Sequence, residues 1–501
     1  MQRRTFLAAA AAPALFPQAR KLSRRPNILI LLADQHSPRV LGCYGDPVVR
    51  TPNLDALAAR GVVMEQTYCQ APVCVPSRMS LLTGRHPSEN RVWSNADLLP
   101  SDTPTFAHAL GAAGYRTALI GRMHFNGPDQ LHGFQKRLVG LIMPPYPDGT
   151  APLPPDLLPG ATNSSKASVT IAGPGSTNYT VYDEDVTRAT IEYLRQSASS
   201  GQPFCAVSGF VLPHSPYICP EREWNYYYGR VTLPEVPPGY FERLHPVVKA
   251  WRRNRGVEDI SPEEARRARA GYYGLVSVLD ERAGRILRTL RETGLDENTV
   301  VIYTSDHGEM AGENGMWWKF NFYESSVRVP MIISWPARFQ PARRIRRVAS
   351  LIDLAPTLCD LAGAPPMRTS GRSLLPLLEG KPDGRPDEAF SELAPMRDIP
   401  STRMLRSGKW KLVHYDGMRP QLFDLDADPH EFVDLAERPE QAAVRDRLTA
   451  RVLEGWSAET ILTEMKRRAP DQQLLRKWAV ETHPHVDQLW KSPPGSNWYR
   501  K

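Results

Sequence analysis

Unbroken apolar runs that end abruptly in polar residues dominate the first two thirds of the chain. Ile28-Leu29-Ile30-Leu31-Leu32-Ala33 is followed at once by Asp34-Gln35-His36. Such a run reads as a strand buried on both faces of a sheet. The same pattern predicts strands over Val62–Tyr68, Tyr115–Ile120, Phe204–Leu212, Thr299–Ser305 and Val329–Trp335. Helical spacing with cap residues predicts helices over Thr51–Gly61, Thr105–Gly114, Tyr182–Gln196, Ser261–Thr293 and Leu351–Ala362. Strand and helix in alternation predict an α/β domain whose large sheet is covered by helices on both faces.

From about residue 385 the period shortens. Met404–Arg406, Trp410–Tyr415 and Gln421–Leu425 alternate like half-buried strands, and a helix follows over Pro439–Trp456. The expected organisation is an N-terminal segment 1–25, a main domain 26–384, a small antiparallel-sheet-plus-helix unit 385–456 and a tail 457–501. The tail is basic and aromatic without a core of its own, so it is expected to pack on the body or on a neighbouring subunit. Residues 141–180, rich in Pro, Gly, Ser and Thr, predict a long excursion at the rim of a site. The aromatic stretch holding Trp224, Tyr226, Tyr227, Tyr228 and Trp251 predicts a second cover.

Composition narrows the class. The 501 residues are 41% hydrophobic and 23% charged with a net charge of +8, which suits a globular protein with an anionic substrate. The basic residues are dispersed rather than striped with aromatics, so nucleic acid is not expected as a partner. Arg3-Arg4-Thr5-Phe6-Leu7 followed by Ala8–Ala14 resembles a twin-arginine export signal, predicting an exported, periplasmic protein. That apolar run is too short to span a bilayer, and no later run reaches the ~18 residues a spanning helix needs. Six cysteines are too few for a disulfide scaffold; a Cys43–Cys69 bridge stays open.

Chemistry concentrates at the ends of the predicted strands, where open α/β sheets place their ligands. Asp34 follows the first, Arg122 and His124 the third, His214 the fourth, and Asp306 with His307 the fifth. Lys319 follows in Met316-Trp317-Trp318-Lys319. Between the first two lies Cys74-Val75-Pro76-Ser77-Arg78, running on into Leu81-Leu82-Thr83-Gly84-Arg85. A thiol at a helix N-terminus beside an arginine is a candidate activated nucleophile.

The run C-x-P-S-R with L-L-T-G-R resembles the signature of the formylglycine-dependent sulfatases. Ala33-Asp34-Gln35, Gly121–Gly133, Asp306-His307 and Trp317-Trp318-Lys319 extend the likeness over roughly residues 26–456, nearest to the choline-sulfatase-like branch. The resemblance implies an alkaline-phosphatase-like fold: a large mixed central sheet sandwiched by helices, with a smaller C-terminal antiparallel sheet plus helix. It implies that Cys74 is oxidised to formylglycine (3-oxoalanine) by a formylglycine-generating or anaerobic maturation enzyme. It further implies one divalent cation on Asp34, Gln35, Asp306, His307 and residue 74. Calcium is expected first; an imidazole ligand leaves manganese or magnesium open. Arg78 would stabilise the nucleophile, Arg122, Asn95, Lys319 and His214 would hold the sulfate, Lys319 or His214 would protonate the leaving alcohol, and His124 would act as base. Arg122 stands where the commoner family residue is Lys, which keeps the charge but alters its geometry. The implied activity is sulfate ester hydrolysis, on choline sulfate or a sulfated glycan. The alternative is a phosphonate monoester or phosphodiester hydrolase using the same group. A homo-oligomer through the tail is a further expectation.

Overall fold

The computed structural model describes residues 25–146, 158, 162–397 and 399–500. The export-signal expectation therefore falls, but for residue 25, outside the described residues, as does part of the predicted excursion over 141–180. The main sheet contains β1 (Asn27–Ala33), β2 (Val62–Tyr68), β3 (Arg116–Gly121), β4 (Lys136–Val139), β5 (Phe204–Gly209), β6 (Thr299–Ser305), β7 (Met331–Ser334) and β8 (Arg343–Ser350). Their spatial order is β8-β2-β7-β6-β1-β5-β3-β4, with a two-residue strand, Arg328–Val329, paired to β2. β6, β1, β5, β3 and β4 run parallel, whereas β7 is antiparallel to both β6 and β2, so the sheet is mixed.

The helices are α1 (Pro52–Ala59), α2 (Cys74–Thr83), α3 (Phe106–Ala112), α4 (Asn178–Ser197), α5 (Pro262–Glu292) and α6 (Leu354–Ala362). Helices α1 and α4 pack on α5 to form one layer; α2, α3 and α6 pack on each other to form a second. α5 starts where the sequence places its cap: the Ser261 hydroxyl accepts from Glu264 N–H, and Pro262 occupies the first helical position. β1 shows why the central strands carry no alternation. Six of its seven residues are buried, because helices cover both faces.

The smaller unit is a four-stranded antiparallel sheet of β9 (Glu388–Leu393), β10 (Thr402–Ser407), β11 (Trp410–Tyr415) and β12 (Gln421–Asp424), with α7 (Ala442–Leu453) packed on it. A buried ammonium joins it to the main body. Lys411 Nζ donates to the Phe322 carbonyl at 2.7 Å and pairs with Glu324 at 3.1 Å and with Glu431.

Three features depart from the sequence reading. β8 and β9 form where no strand is expected. The arginine-rich run 343–347 lies at the sheet edge, where charged side chains reach solvent and the apolar pattern is diluted. The tail, read as lacking a core of its own, carries a helix that was not expected, α8 (Ala458–Thr482), and then, as expected, packs along the body of its own chain. Leu141 N–H donates to the Gln488 carbonyl, Trp490 Nε1 donates to Asp185 at 2.9 Å, and Trp498–Tyr499 pair with Ser176 and Gly175. Finally, all six cysteines are free thiols, Cys43 and Cys69 included. No helix among the described residues is long and apolar enough to cross a membrane.

Candidate active site

Four neighbouring parallel strands, β6, β1, β5 and β3, present their carboxyl ends side by side, with Ala33 opposite Ser305 and Leu32 opposite Gly209. The next residues along each chain therefore meet: Asp306, Asp34, the turn to His214, and Arg122. Gly209 makes the last approach possible, since a Cβ there would lie 1.9 Å from the Arg122 carbonyl oxygen. His214 follows the cis Leu212–Pro213 bond, and Asp183 holds the preceding turn by accepting from Val211 and Leu212 N–H at 2.8 and 2.9 Å.

Cys74 enters from the opposite direction, as the first residue of α2. All ten residues of that helix are buried. Pro76 sits in the first turn, where a missing N–H costs nothing, and Gly84 closes the helix with φ 67°. Val73 offers no side-chain cap. Asn95 supplies one from the following loop, its Oδ1 accepting from Val75 N–H at 3.0 Å. The predicted site residue Asn95 thus acts on the helix that carries Cys74.

The Cys74 thiol lies 3.1 Å from Lys319 Nζ, 3.3 Å from His307 Nε2 and 3.8 Å from Asp34 Oδ1. Burial opposes ionisation, but Lys319 and His307 pull its pKa well below the ordinary thiol value. Arg78, fully buried, ties the two acids together, with Nε 2.8 Å from Asp306 Oδ2 and Nη2 3.1 Å from Asp34 Oδ2. Burial would raise Asp34, yet Arg122 and Arg78 hold it below the usual carboxylate range. Burial raises Asp306.

One ligand atom each from Asp34, Cys74, Asp306 and His307 lies within 4.8 Å of the others. His307 Nδ1 donates to the Gly308 carbonyl at 3.0 Å, which aims Nε2 at both carboxylates; burial would lower its pKa but Asp306 raises it, so a cation bound here would take the place of the Nε2 proton. Two carboxylates, an imidazole lone pair and a soft or oxygen donor at residue 74 fit a divalent cation. Gln35, in a left-handed backbone conformation (φ 71°), reaches this cluster through Lys319, whose ammonium donates to its Oε1 at 2.7 Å.

Arg122 is largely committed within the protein. Its Nε is 2.8 Å from Asp34 and its Nη2 donates to His124 Nδ1 at 2.9 Å, while Nη1 meets only the Met143 thioether at 3.7 Å. Burial and Arg122 lower His124 to about 4, so the ring is neutral and its remaining nitrogen carries the proton toward Cys74. His214 donates from Nδ1 to the Ser215 carbonyl and accepts from Lys319 at Nε2, 3.1 Å away.

Every residue singled out from sequence (Asp34, Gln35, Cys74, Arg78, Asn95, Arg122, His124, His214, Asp306, His307, Lys319) falls in this one cluster. Sequence reasoning missed Glu309. Its carboxylate accepts from Gln35 Nε2, from Ala311 N–H at 2.7 Å and from Trp318 N–H at 2.6 Å. It thereby orients the Gln35 amide and shapes the turn leading to Lys319; its place three residues after Asp306 was the available signal. Three aromatic rings face arginines. Trp224 lies under Arg267 at 4.9 Å, Tyr226 lies between Arg50 and Arg230 at 3.3 and 4.4 Å, and Phe320 lies under Arg255 at 4.3 Å. These rings spend their faces on arginines and do not form an open cage for a cationic ligand.

A sequence model described as Sulfatase matches residues 26–364, more than half of the chain and all eleven clustered residues. The chain belongs to the sulfatase family. A second model, N-sulphoglucosamine sulphohydrolase, C-terminal, matches residues 312–457. The sulfatase is 36% identical over 449 residues to a choline-sulfatase of Rhizobium meliloti (strain 1021), covering 85% of each chain. It is 30% identical over 456 residues to arylsulfatase K of Bos taurus, covering 84% of this chain and 80% of that one. Among solved structures it resembles the phosphonate monoester hydrolase of Agrobacterium radiobacter, with a TM-score of 0.72 and 27% identity over 86% of this chain and 95% of that one. As a sulfatase, the protein is a sulfuric ester hydrolase with the mixed α/β fold of these neighbours.

Proposed function

We propose that this sulfatase hydrolyses a sulfate monoester with residue 74 as formylglycine and one divalent cation held by Asp34, Asp306, His307 and residue 74. The observation that carries the reading is the convergence of Cys74 with two carboxylates and an imidazole, whose ligand atoms lie within 4.8 Å of one another, and with the Lys319 ammonium at 3.1 Å. Because Cys74 and its whole helix are buried, its oxidation would precede folding.

The aldehyde hydrate supplies a nucleophilic hydroxyl and a second hydroxyl from which the ester to the enzyme can be eliminated. A divalent cation held by these residues would lower the hydrate's pKa and polarise a sulfate oxygen. Arg78 fixes both carboxylates and supplies positive charge beside the nucleophile. Lys319, 3.1 Å from Cys74 and from His214, holds sulfate oxygens together with that imidazole and gives a proton to the departing alcohol. Arg122 contributes Nη1 to the sulfate. When Arg122 turns to the substrate, His124 Nδ1 is released and takes the ring proton. The nitrogen facing residue 74 then becomes an acceptor, as the base role requires. Gln35 completes the cation's surroundings, with its amide set by Glu309.

Calcium, manganese and magnesium all remain in the proposal; the imidazole of His307 speaks for manganese, and oxygen donors speak for calcium. The substrate is choline sulfate or a sulfated carbohydrate. A phosphonate monoester or phosphodiester hydrolase is the second reading, favoured by the likeness to the Agrobacterium enzyme. A homo-oligomer through the tail rests on the exposed Leu474, Leu475 and Trp478 of α8. Export through a twin-arginine signal rests on the motif at residues 3–7.

Peptide mass spectrometry across residue 74, after co-expression with a maturation enzyme, tests the central claim. Loss of the sulfur in favour of an aldehyde, with turnover of 4-nitrophenyl sulfate that exceeds turnover of a phenylphosphonate ester, supports it. An unmodified thiol in an active enzyme would sink it.

A further inference from the structure

Beside the site stands an arginine whose charge has no acidic partner among the described residues. Arg255, half-buried at the end of helix 246–255, donates to the Ser164 carbonyl at 2.9 Å and approaches the Met396 thioether at 3.9 Å. Its guanidinium lies 4.3 Å from the Phe320 ring centre and 5.1 Å from that of Trp251. None of these groups is charged, and among the described residues no carboxylate pairs with it. The charge that does act on it is a like one: burial and Arg397 together push its pKa down to about 10. Arg397 is exposed, sits in a left-handed conformation (φ 52°) and, among the described residues, donates to the Asn254 carbonyl at 3.5 Å.

Two contacts place this pair at the edge of the catalytic cluster. Phe320 directly follows Lys319, and its N–H donates to Pro72, two residues before Cys74. Ser164 stands two residues from Thr162, which hydrogen-bonds Tyr179, and the Tyr179 ring packs edge-on against His214 at 6.0 Å. Holding two like charges together in a partly desolvated place costs free energy, and an anion between them would offset that cost. The fork of Arg255 is set in orientation by two rings and one carbonyl, leaving donors for a planar or tetrahedral oxyanion.

We propose that Arg255, with Arg397 beside it, binds a second anionic group on the alcohol part of the substrate. That group is a carboxylate or a further sulfate, which makes the substrate a sulfated acidic sugar rather than the sulfate ester of a cationic alcohol. This inference rests on the sulfatase reading above. The arginines covering Trp224, Tyr226 and Phe320 agree with it, because they repel the quaternary ammonium those rings would otherwise attract.

The test compares matured wild type, Arg255→Met, Arg255→Lys and Arg397→Met on 4-nitrophenyl sulfate, choline sulfate, a sulfated glucuronic acid and a glucosamine disulfate. Wild type should favour one of the two acidic sugars over choline sulfate, and which one it favours identifies the group. In Arg255→Met the ratio of kcat/KM on that sugar to kcat/KM on 4-nitrophenyl sulfate should fall at least about tenfold, the scale of one charge-assisted hydrogen bond. Arg255→Lys should keep most of the ratio, and Arg397→Met should lower it a few-fold. Arg397 is exposed, so its variant reports even if Arg255→Met folds poorly. A ratio that does not move in the folded variants, or a preference for choline sulfate, overturns the inference alone. Failure of matured wild type to turn over 4-nitrophenyl sulfate overturns the sulfatase reading, and the inference with it.

Discussion

Replacing Arg78 by Met isolates the electrostatic frame of the site. The guanidinium makes three buried contacts, to Asp306 Oδ2 at 2.8 Å, Asp34 Oδ2 at 3.1 Å and the Arg122 carbonyl at 3.0 Å. Methionine fills much of the volume but removes the charge. Asp34 would keep Arg122 at 2.8 Å, whereas Asp306 Oδ2 would lose its cation, leaving an uncompensated buried carboxylate that costs about 3–5 kcal/mol. Unfolding entropies near 2.1 cal/mol/K per residue give roughly 1 kcal/mol per kelvin for a chain this long, so the thermal midpoint should fall by about 3–5 °C. If Asp34 and Asp306 hold a divalent cation, that ion replaces the missing charge. The fall should then be largest in a chelator and clearly smaller in saturating calcium or manganese. Differential scanning fluorimetry of both proteins under both conditions reads this directly. An equal fall with and without metal would refute the assignment of the two acids as metal ligands, and a shift below about 1 °C would refute the buried-pair argument.

Other perturbations probe neighbouring parts. Glu309→Gln presents an amide where three donors expect a carboxylate; kcat/KM on 4-nitrophenyl sulfate should fall roughly 10–100-fold, and wild-type activity would show that the Gln35 amide needs no such support. Asn95→Ala uncaps α2 and should cost about 1 kcal/mol, seen as a small drop in thermal midpoint; an unchanged midpoint in the variant refutes the capping role. Burial raises Asp183 to about 6, so its contribution to stability is full below the ordinary carboxylate pKa and is lost as pH rises through about 6. Asp183→Asn removes that titration. Wild type should therefore lose roughly 3 kcal/mol relative to the variant between pH 4 and 7, and a pH-independent difference would count against it. Metal analysis of protein purified without chelator should find close to one divalent ion per chain, and its loss in Asp34→Asn would tie that ion to the cluster.

The central sheet was legible because its strands are buried on both faces, so β1 and β6 announce themselves as apolar runs ending in acids. The site was legible for the same reason, since polar residues directly after such runs must lie at one edge of the sheet. β8 was not legible, because an edge strand exposes alternate side chains and here shows four arginines in five residues. The orientation of Gln35 by Glu309 depends on a turn between residues 309 and 318 that no local pattern encodes. The alignment of Trp224, Tyr226 and Phe320 with arginines is likewise tertiary. Asn95, expected beside residue 74 or the sulfate, also caps the helix of Cys74, a role only the packed loop reveals.

The pairing of Trp498 and Tyr499 with Ser176 and Gly175 has a consequence for how the molecule is made. A chain synthesised from its N-terminus has the strand at 173–176 in hand roughly three hundred residues before its partner exists. At about 5–20 residues per second that wait lasts on the order of tens of seconds. During it, β1, β3 and β5 can already pair, while the strand at 173–176 lacks its C-terminal partner. A ribosome that stalls before residue 498 would release a chain with its sheet formed and this edge open. Limited proteolysis should find such a chain cut near residues 173–178 well before the finished protein is cut there.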